Sequence, residues 1–155
     1  MFTKTENTII GTITIAANHH AITQVFLPNS LVKPANGKYN NLLESAFAQL
    51  HEYLAGQRKY FDLPLQFTGT EFQCQVWAAL QTIPYGKLVS YQTIAERIGN
   101  QRAVRAVGMA NHKNPLPIFV PCHRVIGKNG HLIGYAGGIE LKKRLIILEN
   151  PYFDL

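Results

Sequence analysis

The chain has 155 residues, 46% of them hydrophobic and 15% charged, a balance that excludes an intrinsically disordered protein. Its length suits one compact unit or two small subdomains, and its net charge of +6 favours a polyanionic partner, nucleic acid or an anionic membrane, although mild basicity alone also occurs without consequence. No apolar run reaches membrane-spanning length, and the polar start Met1-Phe2-Thr3-Lys4-Thr5-Glu6 lacks the apolar core of a secretory leader. The expectation is a cytoplasmic protein whose two cysteines, Cys74 and Cys122, stay reduced.

Thr8–Ile15 is β-branched and predicts a strand ending near a turn at Asn18-His19-His20. Ala21–Leu27 predicts a second strand, stopped by Pro28-Asn29-Ser30, and Lys33–Lys38 predicts a loop. Leu42, Leu43, Ala46, Phe47, Leu50 and Leu54 recur at helical spacing, so Asn40–Ala55 predicts an amphipathic helix closed by Gly56. Phe61–Phe67 predicts an extended connection, which places a subdomain boundary between 1–65 and 66–155.

Phe72, Val76, Trp77, Ala79 and Leu80 predict a helix over Glu71–Thr82, broken by Pro84-Tyr85-Gly86, with Cys74 as a small buried hydrophobe. Ser90 caps a helix running to Ile98, Gly99 ends it, and a second short helix covers Arg102–His112. Such a pair is a helix-turn-helix or an ordinary αα-corner. Arg102 and Arg105 beside small Ala103, Ala106, Gly108 and Ala110 favour a nucleic-acid surface. Leu141, Leu145, Ile146 and Leu148 predict a last helix over Ile139–Glu149. The expected fold class is α/β (α+β): a small N-terminal antiparallel-sheet subdomain with a helix, then a helix-rich C-terminal DNA-binding domain with a helix-turn-helix.

The chemistry concentrates at Pro121-Cys122-His123-Arg124, after the proline-rich run Asn114–Val120. A thiol is a useful nucleophile once it loses its proton, and an imidazole is the commonest helper. The prolines stiffen the approach. Neighbours on a strand point to opposite faces, so cooperation between Cys122 and His123 requires a tight turn there. No metal is expected: His19-His20 is the other conspicuous ligand pair, and no CxxC or HxxxH spacing completes a site.

Val120-Pro121-Cys122-His123-Arg124-Val125 resembles the active-site motif of the O6-alkylguanine-DNA alkyltransferases, the methylated-DNA–protein-cysteine methyltransferases. The resemblance runs from about Glu71 to Glu149 through Pro84-Tyr85-Gly86, Ser90-Tyr91-Gln92, Arg105-Ala106-Val107-Gly108, Asn114-Pro115 and Tyr135-Ala136-Gly137-Gly138. Residues 1–65 resemble the family loosely, and with no cysteine before Cys74 the structural zinc of some members is not expected.

The resemblance implies a single, irreversible transfer of the alkyl group of O6-alkylguanine, and of O4-alkylthymine, to Cys122 without a cofactor. It implies that His123 takes the thiol proton through a bridging water and that Glu149 orients the imidazole. Tyr91 would protonate the departing base, with Tyr85 as a rival. Tyr135, Ala136, Gly137 and Val125 would form the substrate pocket; Ala136 stands where some homologues carry serine. Arg105 would fill the gap left by the flipped base, aided by Arg102 and Ala106 on the DNA, and Asn114 would hinge the DNA-reading helix to the active-site segment. The partner would be double-stranded DNA, bound by a monomer through its minor groove. Two other classes fit less well. Non-enzymatic alkyltransferase-like proteins lack the cysteine present here, and a cysteine hydrolase usually sets its base far off in sequence.

Overall fold

Three N-terminal strands form where two were expected. Phe2–Thr8 (β1), Gly11–Ala17 (β2) and Ile22–Phe26 (β3) make an antiparallel sheet in the order β1-β2-β3. The strand expected over Thr8–Ile15 is split: Thr8 ends β1, Ile9-Ile10 turn the chain, and Gly11 opens β2 at φ +114°. A Cβ at Gly11 would stand 2.8 Å from Pro28, so the hairpin needs glycine. Strand β1 carries no hydrophobic alternation that would mark it in the sequence: FTKTENT is polar and buries only Thr3 fully.

The computed structural model describes residues 1–32, 34, 37–132 and 134–153. Of the loop expected over Lys33–Lys38, Lys33, Ala35 and Asn36 lie outside the described residues. The chain divides into two compact units, Met1–Thr68 and Gly69–Leu155.

In the first unit the turn before β3 forms as an Asx turn, in which Asn18 Oδ1 accepts from the His20 and Ala21 amides at 2.7 and 2.8 Å. His19 packs edge-on against Phe2, with ring centroids 4.9 Å apart. Helix α1, Asn41–Leu54, is capped by Asn40 and buries Leu43, Ala46, Phe47, Leu50, Tyr53 and Leu54. These cover the sheet face carrying Ile13, Ile15 and Val25. The extended connection pairs at Leu65 with Ile22.

In the second unit a full capping box between Thr70 and Gln73 starts helix α2, Glu71–Leu80. Cys74 on this helix is half-buried rather than buried. Val89–Ser90 (β4) leads into helix α3, Tyr91–Arg97, with Ser90 as its N-cap. Helix α4 is Val104–His112, so Arg102 stands in the turn before it rather than on it. Ala103 caps without a side-chain bond, and the backbone of residues 100–103 turns before helical geometry begins. A 3-10 turn at Cys122–Arg124 is followed by Val125–Ile126 (β5), which pairs in parallel with β4. This pairing was not foreseen, since two residues per strand leave no period to read. Helix α5 covers Ile139–Glu149. Trp77, Leu80, Ile94, Val107, Leu116, Val120, Val125 and Leu145 form the core beneath the turn. The Trp77 indole donates to the Ala110 carbonyl at 2.8 Å, fixing α2 to α4. Among the described residues no helix is long and apolar enough to cross a membrane.

Candidate active site and nucleic-acid interface

Asn114 organises the approach to Cys122. Its Oδ1 accepts from the Leu116 amide and its Nδ2 donates to the Val120 carbonyl, each at 2.9 Å, while the Val120 amide donates to Leu116 O at 2.8 Å. Inside this loop the β-branched Ile118 sits at φ +76°, a conformation costing on the order of 1–3 kcal/mol and kept only where surroundings impose it. Ile118, Leu116 and Val120 are all buried, which supplies that constraint. Pro121 then turns the chain, and the Arg124 amide donates to its carbonyl at 3.0 Å. The tight turn required for Cys122 and His123 to cooperate is therefore present.

Behind the turn stands Glu149, at the end of α5. Its carboxylate accepts from His123 Nε2 at 2.7 Å, from Arg124 Nε and Nη2 at 2.8 and 2.9 Å, and from the Gly86 amide at 3.2 Å. Burial works against its charge, but the hydrogen bonds and charges of His123 and Arg124 outweigh it and hold the carboxyl well below the usual carboxylate range. Burial pushes the His123 imidazole down, only partly opposed by Glu149, and the cations Arg124 and Lys142 push it further. The ion pair of Glu149 is thus with Arg124, and His123 is a neutral donor to an ionised acceptor. With Nε2 carrying the proton, the ring lone pair lies on Nδ1.

Burial raises the Cys122 thiol to about 11, against the lowering effects of Asn114 and Lys142, so at neutral pH it is protonated at rest. Tyr91 opens α3, where burial and the proximity of Cys122 push its hydroxyl up, with the Asn111 amide pulling the other way. Burial keeps the Tyr135 hydroxyl well above its ordinary value, reinforced by Cys122 and Glu149. Val125 is buried in β5, Ala136 is exposed, and Gly137 is half-buried ahead of α5.

Four participants were not anticipated. Arg124 lies inside the motif itself and clamps Glu149, while its Nη1 donates to the Ile83 carbonyl and its guanidinium lies 5.7 Å from the Tyr85 ring centre. Gly86 reaches φ +79°, which presents its amide to Glu149 and explains the glycine after Pro84-Tyr85. Lys142 has no exposed surface; its Nζ donates to the Val125 carbonyl at 2.7 Å and lies 5.9 Å from the centre of the Tyr91 ring. Burial lowers its ammonium to about 8, with Cys122 partly opposing. A lysine within the apolar stripe of α5, seven residues before Glu149, was the available signal. Asn111, on α4, donates from Nδ2 to the Cys122 carbonyl at 3.3 Å.

The solvent side of α4 carries the basic groups. Arg105 and Ala106 are exposed on the helix, and Arg102 is exposed just before it. An open, mainly apolar cavity of about 480 Å³ lies beside α4, lined by Tyr91, Arg105, Gly108, Met109, His112 and Gly134 among others. Tyr135, Ala136, Gly137 and Val125 do not line it. Among the described residues no group of three or more histidines, cysteines or acids is placed to hold a metal ion.

Comparison with known proteins gives one answer over both units. The family profile described as "6-O-methylguanine DNA methyltransferase, DNA binding domain" matches residues 71–151, and its "ribonuclease-like domain" matches residues 1–67. The constitutive methylated-DNA–protein-cysteine methyltransferase of Bacillus subtilis is 48% identical over 94% of this chain and 93% of its own. That of Methanosarcina acetivorans is 56% identical over 68% of this chain and 67% of its own. The crystal structure of Mycobacterium tuberculosis OGT in complex with DNA superposes with a TM-score of 0.89 at 42% identity, covering 97% of this chain and 94% of that one. With matching profiles over both units and relatives this close, the chain belongs to the 6-O-methylguanine DNA methyltransferase family.

Proposed function

We propose that this protein repairs DNA by transferring the alkyl group of O6-alkylguanine, and of O4-alkylthymine, to Cys122 Sγ, once per molecule and acting as a monomer. The observation that carries the reading is the 2.7 Å bond between His123 and Glu149 directly behind the nucleophile turn, in a chain of this family. The thiol proton leaves through a bridging water to His123 Nδ1. Sγ bonds to the alkyl carbon as the carbon–O6 bond breaks and its electron pair passes to guanine. Tyr91 protonates the departing base and is reprotonated from the imidazolium, so the thiol proton ends on guanine. Glu149 stabilises the transient imidazolium, and Arg124 keeps Glu149 ionised. The resulting thioether has no easy leaving group, so the protein is consumed.

Base access follows from the exposed face of α4. Arg105, with Arg102 and Ala106 beside it, faces the minor groove, and Arg105 fills the space left when the damaged nucleotide is flipped out, a step costing a few kcal/mol. Asn114 joins that helix to the segment bearing Cys122, and Tyr135, Ala136, Gly137 and Val125 enclose the alkyl group. Gly137 lets the loop approach the base closely. The test is label transfer from a methyl-labelled duplex: wild type and Cys74→Ser should each accept one equivalent and then stop, and Cys122→Ser should accept none. Continued turnover on excess substrate would refute the reading.

A further inference from the structure

Helix α4 carries a long apolar side chain where its other exposed groups are basic or small. Met109 is 62% exposed. It stands one turn after Arg105 on the same side of the helix, about 6 Å further along the axis, and both line the open, mainly apolar cavity with Val104 and Gly108. Val104–His112 contains no acidic residue, and His112 and Lys113 line the same cavity. A methionine continuous with other apolar surface and ringed by cations is unfavourable in water, and a polyanion with apolar faces is the partner that would cover it.

Gly108, beside it, points the same way. Glycine inside a helix is destabilising relative to alanine, yet a Cβ at position 108 would meet only the Tyr91 ring outside its own helix, at 4.0 Å, an ordinary contact. The fold therefore has no need of glycine there. An incoming surface does, because bare backbone at 108 lets it come close enough for the longer side chain at 109 to enter it. Minor-groove binders use methionine as an apolar wedge between base steps, and flipping a nucleotide leaves an unstacked step to receive one. Resting on the duplex contact of α4 proposed above, we infer that Met109 is a DNA-binding residue: its thioether enters the minor groove beside Arg105 and packs against the base step next to the vacated site, holding the flipped state open.

The test compares alkyl transfer to Cys122 from duplex O6-methylguanine and from free O6-benzylguanine, which needs no flipping. Met109→Ala should slow the duplex reaction about tenfold, the size of burying most of one methionine side chain, and leave the reaction of the free base unchanged. Met109→Leu should keep most of the duplex rate, because it restores an apolar side chain of similar size. Binding of Met109→Ala to an unmodified duplex should keep the wild-type salt dependence, since no phosphate contact is lost. The position is exposed and alanine is the best helix former, so the variant folds. A duplex rate unchanged in Met109→Ala would overturn the inference. So would an equal loss on the free base, or a Met109→Lys variant as fast as wild type, the mark of a purely electrostatic face. Undiminished duplex binding in the double variant Arg102→Ala, Arg105→Ala would instead overturn the α4 contact itself.

Discussion

His123 donates from Nε2 to Glu149 Oε2 over 2.7 Å, and both side chains are shielded from solvent. Because the carboxylate can only accept, this bond fixes the tautomer and leaves the lone pair on the other ring nitrogen. Arg124 binds the same carboxylate through two nitrogens, so the acceptor stays charged while the imidazole stays neutral. The relay is thus poised to take a proton rather than already holding one.

That arrangement predicts the pH dependence of alkylation. The thiol rests near 11, so transfer at neutral pH needs the base. His123→Ala should lose most activity at pH 7 and recover part of it at alkaline pH, where Cys122 ionises unaided. Glu149→Gln should shift the profile in the same direction but less. A folded His123→Ala protein with an unshifted profile would remove the relay.

The same cluster predicts a stability signature. Glu149 is ionised in the fold with its carboxyl held below the unfolded value of 4.5, so its contribution is complete above that pH and is lost as pH falls towards the folded value. His123 is also pushed down in the fold, so its share likewise fades as pH drops below 6.5. Glu149→Gln should melt lower at pH 7, by roughly 3–5 kcal/mol, because Arg124 loses its buried counter-charge. The gap from wild type should narrow in acid, as thermal melts across pH 3 to 7 will show.

Much of this was legible in the chain. Leu141, Leu145, Ile146 and Leu148 predicted a helix over about Ile139–Glu149, which forms with those bounds although Leu148 is only half-buried, and the need for neighbouring Cys122 and His123 to cooperate predicted the turn that is seen. Helices showed because several apolar residues repeat within each. Strand β1 did not, since it is polar and half exposed, nor did the β4–β5 pairing, which is two residues long. The polar wiring of the site was the least visible part. Arg124, Lys142 and Asn111 act through contacts with residues 11 to 41 positions away, and no local pattern encodes those.

Lys142 supplies a prediction of its own. Its ammonium, near 8 in the fold against 10.5 unfolded, makes the unfolded chain bind more protons between those values. Wild type should therefore gain stability as pH rises from about 8 to 9, above which the Cys122 thiol, held near 11 against 9.0 unfolded, works in the opposite direction, and Lys142→Met should lack that gain. The variant should also melt higher at pH 7, because a buried charge is gone, while reacting more slowly, because the Cys122 thiolate loses a nearby cation. Urea unfolding at pH 7 and at pH 9.5, with alkylation rates alongside, checks all three.

Arg105 should matter for duplex DNA and not for the chemistry. Arg105→Ala should slow transfer from duplex O6-methylguanine by on the order of tenfold or more while sparing reaction with free O6-benzylguanine, which needs no flipping. Equal losses on both would place Arg105 in the pocket or the fold. Binding should weaken steeply with salt, since phosphate contacts dominate.

Transfer of the alkyl group to Cys122 itself is read by peptide mass mapping after incubation with excess O6-methylguanine duplex. The peptide containing Cys122 should gain the mass of one methylene, in one equivalent per protein, with the Cys74 peptide unchanged and guanine restored in the DNA. An unmodified Cys122 beside repaired DNA, or methylation elsewhere on the chain, would contradict it.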